Sequence, residues 1–197
     1  MREMIKMVIV LTVLASLSGG LLAAVKNNTQ ERIDSQVLKF VKGPAIVKIL
    51  EGASNDPIQD RFPLTVNDEE RNFFVAKYDG KPKTVAFETK ASGYGGDMGV
   101  MVAFNIKTGE ISGVSVTTHN ETPGVGARVE TASDFKNQFV GLPITAEPKV
   151  KKDGGDITAI SGATITSRAV TKAVRKAGEL YQAHKAKIKD KAQSFAG

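Results

Sequence analysis

The chain has 197 residues, 41% hydrophobic and 24% charged, which suits one folded domain with a sizeable core and leaves no room for separate cofactor and substrate domains. It contains no cysteine, which excludes disulfides, iron–sulfur clusters, thiolate zinc sites and cysteine nucleophiles together, so any redox chemistry needs an organic cofactor. The formal charge of +6 lies wholly in residues 166–197, where eight lysines and arginines face only Glu179 and Asp190. That segment lacks the interleaved aromatic residues that stack on single strands. It reads as a solvated helix face rather than a nucleic-acid surface, with an acidic partner or lipid head groups as other uses of the same face.

Met7 to Val25 is a run of 19 uncharged residues preceded by Arg2 and Lys6. A helix of that length spans roughly 28 Å, close to the hydrocarbon thickness of a bilayer and longer than the apolar core of most signal peptides. An uncleaved anchor is expected, although Ala23 and Ala24 offer a peptidase site. The flanking basic residues hold the short N-terminus inside, so the domain faces outward.

Beyond the anchor, Ile33, Val37, Leu38 and Val41 fall at helical spacing and predict a helix over 30–41. Residues 43–72, with Pro44, Pro57 and Pro63, read as irregular around a short apolar stretch at Ile46 to Leu50. Phe73 to Tyr78 and Thr84 to Thr89 read as strands joined by the Asp79-Gly80 turn. Met98 to Ile106 and Glu110 to Thr118 form a second pair about Lys107-Thr108-Gly109. A short helix is expected over Ser133 to Phe139, capped by Ser133, with Phe135 and Phe139 inward. Val170, Val174, Ala177, Tyr181, His184 and Ile188 mark the apolar stripe of a long helix from about Ser167 to Gln193. The expected class is α+β, an antiparallel sheet with flanking helices behind one transmembrane helix. The expected organisation is an anchor over 1–25, a connecting region over 26–72 and a folded domain over 73–197.

Three segments hold the residues that could carry chemistry. Gly93-Tyr94-Gly95-Gly96-Asp97-Met98-Gly99 lacks the third glycine of a dinucleotide fingerprint and runs into a strand, so it is no Rossmann turn. It is either a flexible connection or a loop whose missing side chains let backbone approach a flat ligand. Thr117-Thr118-His119-Asn120-Glu121-Thr122-Pro123-Gly124-Val125-Gly126-Ala127-Arg128 is a stiff loop that gathers one of only two histidines with a glutamate, threonines and an arginine. Ser161-Gly162-Ala163-Thr164-Ile165-Thr166-Ser167-Arg168 precedes the basic helix. There Thr164, Thr166 or Ser167 could cap the helix, or its free N–H groups could hold an anion. Neither a G-x-S-x-G elbow nor an S-x-x-K pair occurs in it, which argues against a hydrolase. Two histidines, no metal-ligand cluster and no convincing acid–base pair leave no catalytic or metal residue to assign.

In this order, GYGGDMGVMVAF, HNETPGVGAR and SGATITSRAV resemble the FMN-binding domain family, most specifically through SGAT-T. Within it the chain is similar to the one-helix G subunit of Rnf-type electron-transport complexes, with the C subunit of Na⁺-translocating NADH:quinone reductase as the sibling. The resemblance implies FMN joined through its phosphate to Thr164, installed by a separate flavin transferase. It implies that Ser161, Gly162, Ala163, Thr166, Ser167 and Arg168 surround the phosphate. Tyr94, Gly95, Gly96, His119, Glu121, Thr122, Pro123 and Gly124 would then approach the flavin ring. Three positions before Ser161, where the family commonly has an acidic residue, stands Thr158, with Asp156 two residues earlier.

The function so implied is electron relay in an ion-translocating ferredoxin:NAD oxidoreductase, in a bacterial or archaeal cytoplasmic membrane with the domain on the outer or periplasmic side. The implied partners are the other proteins of the complex and the membrane. A non-redox envelope binding module and a free-standing FMN reductase are the rival readings.

Overall fold

The computed structural model describes residues 1–67 and 69–195 and divides into two units, Met1–Phe40 and Val41–Gly197. The first unit holds the whole of helix α1 (Arg2–Gln36), which buries none of its residues. α1 continues through a π-helical turn (Val37–Lys42) into α2 (Gly43–Ile49), so the helix foreseen over 30–41 is part of one longer helical run. Within it lies an 18-residue window of mean hydropathy 2.4, none of it buried. This helix is long and apolar enough to cross a membrane.

The second unit is built on a five-stranded antiparallel meander, β1 (Arg61–Val66), β2 (Glu69–Tyr78), β3 (Lys81–Ser92), β4 (Asp97–Asn105) and β5 (Ile111–Thr118), ordered as in the sequence. Asp79 and Gly80 both take positive φ between the paired residues Tyr78 and Lys81, the backbone a two-residue hairpin requires. The central strand β4 is buried along nearly its whole length, because helices cover both faces of the sheet. Two short helices, α3 (Arg128–Thr131) and α4 (Ser133–Asn137), lie against β5.

One face packs on α5 (Thr164–Gln193), whose stripe of Val170, Val174, Ala177, Tyr181 and Ile188 is buried as the periodicity predicts. His184 is only half-buried on the margin of that stripe. An aromatic ladder crosses the strands into this helix. Its ring centroids stand 5.4 Å apart for Phe62–Phe73, 4.7 Å for Phe73–Phe87, 5.7 Å for Phe87–Phe104 and 4.7 Å for Phe104–Tyr181. Such a ladder fixes the register of α5 on the sheet and so the place of its N-terminus. The lysines at 172, 176, 185, 187, 189 and 191 are all exposed, as a solvated face requires.

The other face carries α2 through Ile46 and Leu50. Lys42, at the head of α2, pairs with Glu88 on β3 at 2.5 Å, and Thr117 donates to the same carboxylate.

Three expectations change. Residues 43–72 are not irregular throughout. Pro44 lies directly after the π-helical turn, where the helical run is locally widened around a residue without an N–H, and Pro63 lies on the edge strand β1, where its nitrogen can face away from the ladder. The sheet therefore starts inside the expected connecting region. Ser133 does not cap α4. Ala132 holds the cap position without a side-chain bond. The long helix begins three residues earlier than foreseen, at Thr164, and none of Thr164, Thr166 and Ser167 caps it.

Candidate functional site

All three loop segments converge on one carboxylate. Glu121 follows β5, is 5% exposed, and accepts a hydrogen bond from the Thr166 hydroxyl at 2.5 Å and from the Gly95 N–H at 3.0 Å. The neighbouring Tyr94 backbone also favours the charged form. Burial alone would raise this carboxyl, but these donors outweigh it and the nearby His119 adds to them, so its pKa lies below the ordinary glutamate value. Glu121 is therefore an ionised tie between the β3–β4 loop, the loop after β5 and the first turn of α5.

The glycines of two of these segments are explained by that tie. A methyl group at Gly93 would strike the Glu121 carboxylate, and one at Gly95 would strike the Asn120 carbonyl. At Gly126 it would come within 2.5 Å of the Glu121 carboxylate and 3.0 Å of Thr166 Oγ1. Missing side chains here serve close packing around Glu121, a role beyond the flexible connection or the backbone approach to a flat ligand that the sequence offers. Gly124 differs, since it has open space around it and is required by its φ of +74°. Beside it Thr122 closes the loop, its carbonyl accepting from Val125 and Ala127, and Thr122 and Pro123 are exposed.

The SGAT turn enters α5 with Gly162 at φ +79° and the Ala163 N–H bonded to the Ile160 carbonyl at 3.0 Å. The first intrahelical bond runs from the Ser167 N–H to the Ala163 carbonyl, so the N–H groups of Thr164, Ile165 and Thr166 have no intrahelical acceptor. Ser167 turns inward instead, accepting from the Ile160 N–H at 3.0 Å and donating to the Ala163 carbonyl at 2.9 Å. Thr166 is spent on Glu121. Thr164, half-exposed at the first helical position, keeps its hydroxyl at the mouth of this helix, with exposed Ser161 three residues before it.

Two assigned residues have protein partners of their own. Arg168 is held by Asp153 through two bonds of 2.7 and 2.5 Å, so its charge is already matched by a carboxylate. The bond to Arg168 holds the Asp153 carboxyl below its usual value. Nothing in the sequence flags Asp153, which lies 15 residues upstream on a short 3₁₀ turn. His119 accepts from the Glu121 N–H at 3.3 Å and faces Glu130 at 3.5 Å, which makes it a brace of its own loop. Tyr94 is 70% exposed, with Gly95 and Gly96 beside it. The sequence reading missed Val125 and Ile165, apolar residues 44% and 49% exposed, and Val125 lies about 3.8 Å from the space a side chain at Gly162 would occupy. Single apolar residues in loops give no signal of this kind until the turn and loop are brought together.

Residues 93–179 match the family model of the FMN-binding domain, a span that holds all three converging segments. The chain is 35% identical to the G subunit of the ion-translocating oxidoreductase complex of Shewanella oneidensis, over 95% of this chain and 93% of the relative. The chain belongs to this G-subunit family. A second member, from Pseudomonas aeruginosa, is 32% identical over 95% of this chain and 92% of its own length. Among solved structures, Shewanella oneidensis NqrC shares the fold at TM-score 0.51 and 22% identity, over 71% of this chain and 72% of that one. In this member of the G-subunit family, the matched span ends midway along α5. The aromatic ladder and α2 support the site from outside or across its borders.

Proposed function

We propose that this chain is a membrane-anchored flavoprotein that relays electrons within an ion-translocating oxidoreductase complex of the Rnf type, with FMN tied by a phosphoester to Thr164. The observation that carries the reading is the mouth of α5. A 30-residue helix opens there with no side-chain cap, three backbone N–H groups lack intrahelical acceptors, and a threonine hydroxyl stands at the first position. A phosphodiester, which keeps one negative charge, suits those donors and the positive end of the helix.

The residues present fit the group. Thr164 would hold the phosphate, the N–H groups of Ile165 and Thr166 would bond it, and exposed Tyr94, Val125 and Ile165 supply apolar surface for a flat ring. When bound, the flavin supplies the redox chemistry and the protein tunes it by hydrogen bonds and nearby charge. Glu121 positions the three segments and, being already hydrogen-bonded, is not free to move protons. Arg168 and Asp153 form a closed pair beside the turn and leave the phosphate to backbone donors. A tether explains how a small domain keeps its flavin, and a flavin transferase is required to make it.

The same reading gives the chain one anchor over residues 1–25, with Arg2 and Lys6 inside and the folded domain on the outer face. A single span without charge provides no ion path, so the other proteins of the complex carry the ion. The test is the colour of the full chain purified after co-expression with a flavin transferase. A yellow protein whose absorbance bleaches with dithionite is expected. A colourless protein that also fails to bind free FMN would favour the non-redox binding module.

A further inference from the structure

A cavity of about 180 Å³ opens between α2, β5 and α4, and none of its lining residues belongs to the three converging segments. Lys48 from α2 and Lys136 from α4 both line it. Lys136 is 6% exposed, and its ammonium donates to the Glu130 carbonyl at 2.6 Å, which takes one of its three N–H bonds. The ion pairs formed among the described residues include neither lysine. Glu130, the carboxylate whose charge favours the Lys136 ammonium, stands 3.5 Å from His119.

Burial, and then the like charge of Lys48, push the Lys136 pKa down, with Glu130 opposing them. Glu130 offsets burial and the charge of Lys48 only in part, so a further anion between the two lysines would stabilise the buried ammonium. The rest of the lining is half polar, with Ser112, Ser115, Ser133 and Asn137 as donors beside Ile49, Gly113, Val114 and Val140, and it includes no carboxylate. Two cations and several neutral donors around a small cavity suit a tetrahedral oxyanion, which accepts many hydrogen bonds at once.

We propose that the Lys48–Lys136 cavity binds an oxyanion of the phosphate class, either free or as a phosphomonoester, and that this anion locks α2 to β5 and α4. The inference does not depend on the flavin assignment, since it shares no residue with that site.

The experiment is thermal unfolding of the full chain in maltoside detergent, titrated with inorganic phosphate at constant ionic strength against chloride. It is repeated with glycerol 3-phosphate, and with the variants Lys48→Ala and Lys136→Met. The midpoint of the wild type should rise by several degrees and saturate, because a ligand that binds only the folded state stabilises it. Both variants should lose the rise. An equal response to the two probes identifies a free oxyanion, and a larger one to glycerol 3-phosphate identifies a phosphomonoester. Lys48 is exposed, so its variant keeps the test decisive even if Lys136→Met folds poorly. A wild type that does not respond, or a Lys48→Ala variant that responds like the wild type, would overturn the proposal.

Discussion

Replacing Glu121 with alanine is expected to destabilise the folded domain by about 3 kcal/mol, the scale of losing charge-assisted hydrogen bonds in a buried setting. The Thr166 hydroxyl and the Gly95 N–H would both lose their acceptor. For a domain of this size the unfolding midpoint should fall by roughly 10 °C. Glu121→Gln keeps the shape but not the charge, and its stability should fall between those of the wild type and the alanine variant. The pH dependence has a fixed sign. Because the folded-state pKa is depressed, the stabilisation by Glu121 is full above the ordinary glutamate pKa and is lost as pH falls through the folded value. The difference between wild type and Glu121→Gln should therefore shrink below about pH 4. Denaturation monitored by circular dichroism between pH 3 and 7 reads both effects.

The second large effect is expected at Gly95. Its side-chain position is filled by the Asn120 carbonyl, so Gly95→Ala must push two backbone segments apart and pull the Gly95 N–H from Glu121. About 2 kcal/mol or more is expected, as for other insertions into closed packing. Gly124→Ala has open space and should cost only the left-handed backbone penalty, about 1 kcal/mol. The double variant Gly95→Ala with Glu121→Ala should cost clearly less than the sum of the single changes, since both break the same bond. If the effects simply add, the two residues do not act through one another.

Much of this was legible in the residues. The meander follows from alternating apolar strands and from Asp79-Gly80, a dipeptide that selects its own turn. The buried stripe of α5 follows from helical spacing. β1 was not legible, because a six-residue edge strand containing Pro63 carries the signature of a loop and gains its order only from pairing with β2. The start of α5 was misread for a related reason. Thr166 and Ser167 have the chemistry of caps, and only the fold shows that Glu121 and the Ile160 N–H have already engaged them.

The three segments of the site could be picked out by composition, yet their meeting point could not. Glu121 is separated from Gly95 by 26 positions and from Thr166 by 45, and one sequence alone gives no measure of such distances. Arg168 shows the converse. Its place in the first turn suggests a phosphate ligand, and the fold adds a carboxylate partner from a distant 3₁₀ turn that the sequence does not reveal.

Thr164 is the proposed point of attachment, and intact-protein mass addresses it most directly. The full chain and its Thr164→Val variant are each co-expressed with an active flavin transferase and weighed. The wild type should gain the mass of FMN less one water, and the variant should gain nothing. The variant should also unfold at the wild-type temperature when both lack flavin, since Thr164 is half-exposed and does not cap the helix it opens. A wild type without added mass, or a variant that still carries the flavin covalently, would contradict the assignment.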